Sequence, residues 1–378
     1  MPTLFYLPLE PYVERYTYLM SAKGGWAESK FKNLGINFVR VEGEQLGSSI
    51  KCGVVLDCFG RNYYSNSQVN KMINLIKEGK VKDGDVVYTE DFWTSGIESL
   101  FYVRHMTGIK FRIGCFIHAQ SVDDTDFAWN MREWMRPIEQ GYGKEYDFII
   151  TCSKILKKLC VEAGVGNKRN IHVVSLPYNS KRLMSQLKEM NFKKPRVKEG
   201  VIFSSRFDDE KDPNFFLDVV EACPDIHFKL VNPRKDRPIT INKQVLKRLE
   251  KILARPGSNL TLIDTSEKVK YYEALAGSEV QFNCAHQDLV SWTLLESVTF
   301  GCNPLYPVWK DFPLELHNSK KFLYRKRDLS DCVQKLRLLL KKKNIGIPNY
   351  IVKKHDAYWE KVSKIMGIYP QGQPFCYN

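Results

Sequence analysis

Gln281–Trp309, QFNCAHQDLVSWTLLESVTFGCNPLYPVW, is the stretch whose reading decides the fold. A short apolar strand gives way to a polar loop, a helix over about Ser291–Phe300, a glycine stop and a second short strand. Gly301 stands where helices end by taking positive φ. Strand, helix and strand in direct succession are the building unit of a parallel α/β sheet. Asp288 lies in the loop and Glu296 inside the helix, eight positions on. Loop amides and a helix N-terminus bind phosphate, and a carboxylate a turn or two further in can accept paired sugar hydroxyls. That combination suits a nucleotide-sugar. The plainer alternative is a loop acid and a surface glutamate on an ordinary α/β helix.

Upstream, the alternation has already begun. Strand GVIFSSR leads to FDDEKD and a helix from Pro213, with proline in the first turn. IHFKLVN, VLKRLEKIL, NLTLID, KVKYYEALAG and EVQFNCA continue as strand, helix, strand, helix and strand. Downstream come the strand-like PLYP, a polar connection, a helix over Leu329–Lys343 and a last helix over Asn349–Met366. The first half repeats the layout. Its strands are LFYLPL, INFVRVEG, DVVY, FRIGCFIH, YDFIITCS and NIHVVSLP, with a further apolar run, CGVVLDCFG, after the second. Helices are expected from Pro11 to Gly24, Trp26 to Gly35, Ser67 to Gly79, Ile97 to Thr107, Phe127 to Gln140 and, capped by Ser153, over KILKKLCVEAG. The expected fold class is α/β, with two Rossmann-like domains facing a cleft. Residues 1–178 form the first domain, 179–199 a basic linker and 200–348 the second domain, with the 349–378 helix crossing back to the first.

At 378 residues the chain is long enough for two cores. No run approaches the ~20 apolar residues of a membrane helix, and the N-terminus lacks a signal-peptide pattern, so a cytoplasmic location is expected. The ten cysteines are scattered in apolar runs without a C-x-x-C pair, which reads as buried free thiols and no metal site. The formal charge of +14 favours polyanionic partners or phosphorylated substrates. Lys181–Lys198 holds seven basic residues against one acid, and Lys320–Lys343 ten against two.

Candidate chemistry sits at the ends of strands, where open α/β sheets bind ligands. In the second half, Arg206 and Lys211 lie in the loop before Pro213 and suit a pyrophosphate. Main-chain groups around Ser291, Thr293 and Leu294 can hold phosphate while Glu296 takes ribose hydroxyls. In the first half, strand ends deliver Asp91, Phe92 and Trp93, then His118, Gln120, Asp123 and Asp124. An acid among Asp91, Asp123 and Asp124 could take a proton from an acceptor hydroxyl. Phe92, Trp93 and Trp129, with Gln120, could line the acceptor side, or the aromatics could be core.

SSRFDDEKDPNFFLDVVEA and DLVSWTLLESVTFGCNPLYP together resemble glycosyltransferases of the glycosyltransferase-B fold, the first their Arg…Glu-Lys segment and the second their two-acid motif. YDFIITCSKILKKLCVEAGVGNKRNIHVVSLPYNS is similar to the segment closing their acceptor domain, so the resemblance spans about residues 145–310. Two departures stand out: Asp288 replaces the usual Glu, and no glycine-rich loop follows the first strand. The resemblance implies transfer from a nucleotide-sugar, a UDP-sugar by preference, with no cofactor or metal. Arg206 and Lys211 would hold the diphosphate, Glu296 the ribose, Asp288 the donor sugar, and His118 would contact that sugar or simply end its strand. The two-acid motif leans toward retention of configuration. The look of the chain, including ERYT…W from Glu14 to Trp26, also resembles phage DNA glycosyltransferases, which implies duplex DNA as partner and a flipped hydroxymethylated pyrimidine as acceptor. An envelope glycan or glycolipid acceptor, and a non-catalytic nucleic-acid binder of the same fold, are the alternatives.

Overall fold

The computed structural model describes residues 2–12, 17–21, 23, 25–46, 58–118, 120–233, 238–341 and 348–368. Residues of the ERYT segment and most of CGVVLDCFG lie outside them. The chain divides into two compact units, Met1–Pro177 with Asp356–Asn378, and Tyr178–His355.

In the first unit, the strands β1 (Thr3–Leu7), β2 (Asn37–Arg40), β3 (Val86–Thr89), β4 (Arg112–Phe116), β5 (Phe148–Thr151) and β6 (Ile171–Val173) form a parallel sheet in the order β2-β1-β3-β4-β5-β6. Side-chain pattern fixes position in the sheet. VVYT of β3 and FIIT of β5 are buried at every residue, as strands covered on both faces must be. NFVR of β2, with no fully buried residue, takes an edge. The helix Tyr358–Ile365 belongs to this unit: Tyr358 Oη lies 2.9 Å from Tyr88 Oη, and the Trp359 ring packs edge-on against Phe31 at 5.2 Å.

The second unit repeats the plan with β7 (Val201–Phe203), β8 (Phe228–Asn232), β9 (Leu260–Asp264), β10 (Val280–Phe282), β11 (Asn303–Pro307) and β12 (Leu323–Tyr324), in the order β12-β11-β10-β7-β8-β9. Here too the inner strands β7, β10 and β11 are wholly buried, while LTLID of β9 is largely open. β7 and β10 are adjacent, so the loops after them emerge side by side. The helix Trp292–Thr299 follows β10, and Gly301 beyond it has φ 73°. Lys198 closes this helix by donating to the carbonyls of Phe300 and Gly301 at 2.5 and 2.6 Å, which places a cation at the negative end of the helix dipole.

Several elements differ from the sequence reading. The helix expected from Ser67 starts at Gly60, and the Phe127 stretch opens as a 3-10 turn before the helix Arg132–Glu145. Within 179–199, a linker expected to be partly helical at its start, Ser180–Glu189 is that helix and buries Leu183 and Leu187. The polar connection after PLYP contains a short helix, Phe312–Glu315, and β12. The last helix is two, Tyr350–Asp356 and Tyr358–Ile365, interrupted at Ala357. The first carries Lys354 and His355, which hold Glu315 of the second unit at 2.6 and 3.2 Å. Among the described residues no helix is long and apolar enough to cross a membrane.

Gly200, immediately before β7, has φ +67°, and a Cβ there would meet the His227 carbonyl oxygen at 2.4 Å. Gly200→Ala should therefore destabilise the second unit by about 1–3 kcal/mol. Urea unfolding checks this, and a wild-type midpoint would contradict the strain.

Candidate active site

In the second unit, the loop after β7 is fastened to the loop after β10. The carbonyl of Glu210 accepts the amides of His286 and Gln287 at 2.9 and 3.2 Å. In return, the Lys211 ammonium donates to the Gln287 carbonyl at 2.6 Å and lies 4.0 Å from Asp288 Oδ2. Lys211 is 9 % exposed, so its charge must be met by such oxygens or by a ligand's. Asp288 also accepts from Asn283 Nδ2 at 3.4 Å. Arg206 is more open, and its guanidinium pairs with Glu210 and with Asp208.

Ser291 leads into the helix Trp292–Thr299 without capping it; its hydroxyl sits 2.8 Å from Thr293 Oγ1, which is 3.1 Å from Tyr306 Oη. Leu294 is fully buried, and its amide donates to the Ser291 carbonyl at 3.2 Å, so the phosphate contact expected of it would have to displace that bond. One turn on, Glu296 is held by two phenols: Tyr271 Oη donates to Oε2 at 2.6 Å and Tyr272 Oη to Oε1 at 2.8 Å. Each carboxylate oxygen keeps a second lone pair. Burial, then the Glu296 charge, push both tyrosines well above the usual phenol range. Lys268 Nζ lies 5.2 Å from the Tyr271 ring centroid; desolvation lowers its pKa and Glu296 opposes that.

Beside Lys211, Asp212 takes φ +52° and caps the helix Pro213–Ala222 through Phe215 N. Its Oδ2 is 3.0 Å from His286 Nε2 and 2.9 Å from Arg327 Nε. Burial alone would raise the Asp212 carboxyl; the hydrogen bonds and charges of His286 and Arg327 overcome it and hold it at about 2.

In the first unit, the end of β3 delivers Glu90 and Asp91. Glu90 is buried, accepts from the Leu9 amide at 2.8 Å and from Ser21, and keeps Oε1 without a partner. Burial drives its carboxyl well above the usual range, with Asp91 adding to the effect. The His118 ring, at the end of β4, places Nε2 3.0 Å from the Glu90 carbonyl oxygen. Asp91 is turned to Arg61: Oδ2 accepts from Nη2 at 2.9 Å and Oδ1 from the Trp93 amide at 3.0 Å, while Arg61 also binds Glu10 at 3.0 Å. Asp91 is thus engaged by Arg61 and the Trp93 amide, and the base role expected of it would require that ion pair to open. Phe92 is 0 % exposed and packs on Tyr146 at 5.3 Å, so it is core and not a stacking platform for an acceptor. Trp93 is half-buried with Nε1 3.0 Å from Glu139 Oε1, and Trp129 lies under the Arg132 guanidinium at 4.6 Å. Gln120 is buried, Asp123 accepts from Thr125 N and Oγ1 in its own turn, and Asp124 is exposed.

No protein-family model and no curated protein sequence matches the chain. Solved structures do. A sucrose-phosphate synthase from Thermosynechococcus elongatus superimposes with TM-score 0.63 at 14 % identity, over 97 % of this chain and 98 % of the other. The UDP-forming alpha,alpha-trehalose-phosphate synthase of Burkholderia xenovorans gives 0.62 at 12 %, over 97 % and 99 %. An E. coli trehalose-6-phosphate structure bound with UDP-2-fluoro glucose gives 0.64 at 12 %, over 98 % and 100 %. The chain has the glycosyltransferase-B fold.

Within that fold, the donor-side residues read from sequence fall into two neighbouring groups on the second sheet. Arg206, Lys211 and Asp288 share the paired loops, and Ser291, Thr293 and Glu296 share the helix. Sequence reasoning passed over Tyr271, Tyr272, Lys268, His286 and Arg327, and chose Asp91 over its neighbour Glu90. The adjacent tyrosines of KVKYYEALAG were a usable signal, because one face of a helix cannot bury both without a polar partner for each hydroxyl. Arg327 could not have been found, being 115 positions from Asp212. No group of three or more His, Cys, Asp or Glu among the described residues is arranged to hold a metal ion.

The Asp212 carboxyl gives a pH prediction. Its folded pKa lies below its ordinary 3.8, so its stabilisation is present above about pH 4 and lost as pH falls toward 2. Unfolding curves of Asp212→Asn and wild type should differ at pH 7 and converge across that window; a pH-independent gap would contradict the ionic role.

Proposed function

We propose that the chain is a glycosyltransferase that moves a sugar from a UDP-sugar to an acceptor hydroxyl. The observation that carries this reading is the nearly buried Lys211 ammonium, held at 2.6 Å by the Gln287 carbonyl beside Asp288, with Glu296 set in the helix that follows. A diphosphate fits the cation and the open helix start, and ribose hydroxyls fit the lone pairs Glu296 retains. Similar structures include a UDP-forming synthase and one bound with UDP-2-fluoro glucose, which supports UDP as carrier.

The reaction breaks the bond between the anomeric carbon and the β-phosphate oxygen, which leaves with the electron pair as UDP. A new bond forms from the acceptor oxygen to that carbon, and the acceptor proton passes to a base or to the departing phosphate. Lys211 and Arg206 stabilise the leaving anion, Arg206 by exchanging Glu210 for phosphate. On the first unit, the exposed Asp124 is the acid offered for an acceptor proton and His118 the candidate sugar contact, whereas Asp123 is buried in its own turn.

For the acceptor we take a hydroxymethylated pyrimidine in DNA, supported by the charge of +14. A sugar phosphate is the second reading, favoured by the sucrose- and trehalose-phosphate synthases among the similar structures.

Incubation with UDP-glucose and hydroxymethylated duplex should release UDP and label the DNA, while plain duplex and hexose phosphates leave the donor intact. Hexose phosphate turnover alone would favour the second reading. DNA binding with neither UDP binding nor UDP release would make the chain a non-catalytic binder. Lys211→Met should lower kcat on the order of 10²-fold; a change confined to KM would contradict leaving-group stabilisation.

A further inference from the structure

The outer edge of the first sheet carries a feature that donor chemistry does not use. Beside β6, the edge strand, runs a groove of about 550 Å³ lined by Lys157, Lys168, Arg169, His172, Lys361 and Lys364 among its polar residues. Among the described residues no Asp or Glu lines it. Lys361 and Lys364 are three apart in the helix Tyr358–Ile365 and so share a face. Lys157 is fixed from the opposite wall, donating to the carbonyls of Lys168 and Ile171 at 3.1 and 2.6 Å. Lys168, Arg169, Lys361 and Lys364 are exposed, and no carboxylate pairs with them among the described residues. His172 reports the local field: burial first, then Lys157 and Arg112, lower its pKa below the ordinary value.

The fold gains nothing from such crowding, because like charges at this spacing repel. The contrast lies in the 320–343 segment, where Arg325, Arg327 and Arg337 are paired with Asp328, Asp212 and Asp225. Those three arginines have acidic partners, whereas the four exposed cations of the groove have none among the described residues.

We propose that this groove binds the phosphodiester backbone of duplex DNA, as a docking surface separate from the strand ends that carry Glu90 and His118. β6 lies two strands beyond β4, roughly 10 Å across the sheet. An open, shallow groove lined by cations suits a ridge of phosphates. A bilayer would require a flat face with aromatic anchors at its rim, and among the described residues His172 is the one ring that lines the groove. The inference rests on the DNA-acceptor reading: backbone contacts here would hold the duplex while base chemistry proceeds elsewhere.

The test uses the full chain and a short labelled duplex without hydroxymethyl groups, so that it runs without donor or turnover. Anisotropy titrations between about 50 and 200 mM salt compare wild type, the groove variant K168E/R169E/K361E/K364E, and a charge-matched control, K181E/K188E/K193E/K194E. The groove variant should lose at least ~10-fold in affinity, and its log–log salt slope should fall by roughly 3, with UDP affinity and Tm unchanged. Wild-type DNA affinity in the groove variant would overturn the proposal, including the case where that variant self-associates because the lysines only guard a sheet edge. An equal loss in the control, or wild-type preference for phosphatidylserine vesicles over DNA, would overturn it too. Absence of UDP release by the wild type would instead defeat the glycosyltransferase reading, which the DNA titration does not measure.

Discussion

The bond from the Lys211 ammonium to the Gln287 carbonyl is the interaction on which the second unit's functional edge depends. It is possible only because β7 and β10 are neighbours, which brings their two following loops within reach. Glu210, whose carbonyl takes two amides of the partner loop, completes the fastening. A cation with so little water around it is costly unless oxygens surround it. The carbonyl and Asp288 supply part of that shell, and phosphate oxygens would supply more. The same contact therefore shapes the loops and keeps in place a cation that would suit an anionic ligand.

Around this contact, the helix Trp292–Thr299 is constrained at its second turn and its end but not at its start. Its start is left uncapped by Ser291, its second turn is fixed by the Tyr271 and Tyr272 hydroxyls on Glu296, and its end is closed by Lys198. A helix start without a side-chain cap and a fixed carboxylate further along are features that would suit a nucleotide. Asp212, with His286 and Arg327, holds the next helix against the same loops at the expense of a left-handed residue at its cap.

Much of the fold was legible because the chemistry is local. Buried parallel strands write themselves as VVYT and FIIT, Gly301 and Pro213 mark a helix end and a helix start, and Lys211, Asp288 and Glu296 lie within segments whose order and spacing are distinctive. What sequence hid depends on distance or direction. Phe92 looks the same in sequence whether it faces a ligand or Tyr146. Asp91 and Glu90 are adjacent acids, and only Arg61, thirty positions away, shows which of them is neutralised by an ion pair. The break at Ala357 carries no proline or glycine to announce it, since it arises where the two flanking helices pack on different units.

The account stands on recognition of a nucleoside diphosphate by Lys211 and the paired loops. Calorimetric titration of the chain with UDP and with UMP tests this most directly. UDP should bind at one site at least ~10-fold more tightly than UMP, equivalent to about 1.4 kcal/mol for the β-phosphate, and Lys211→Met should remove most of that difference. Equal affinities for UDP and UMP, or a difference that survives the substitution, would contradict it.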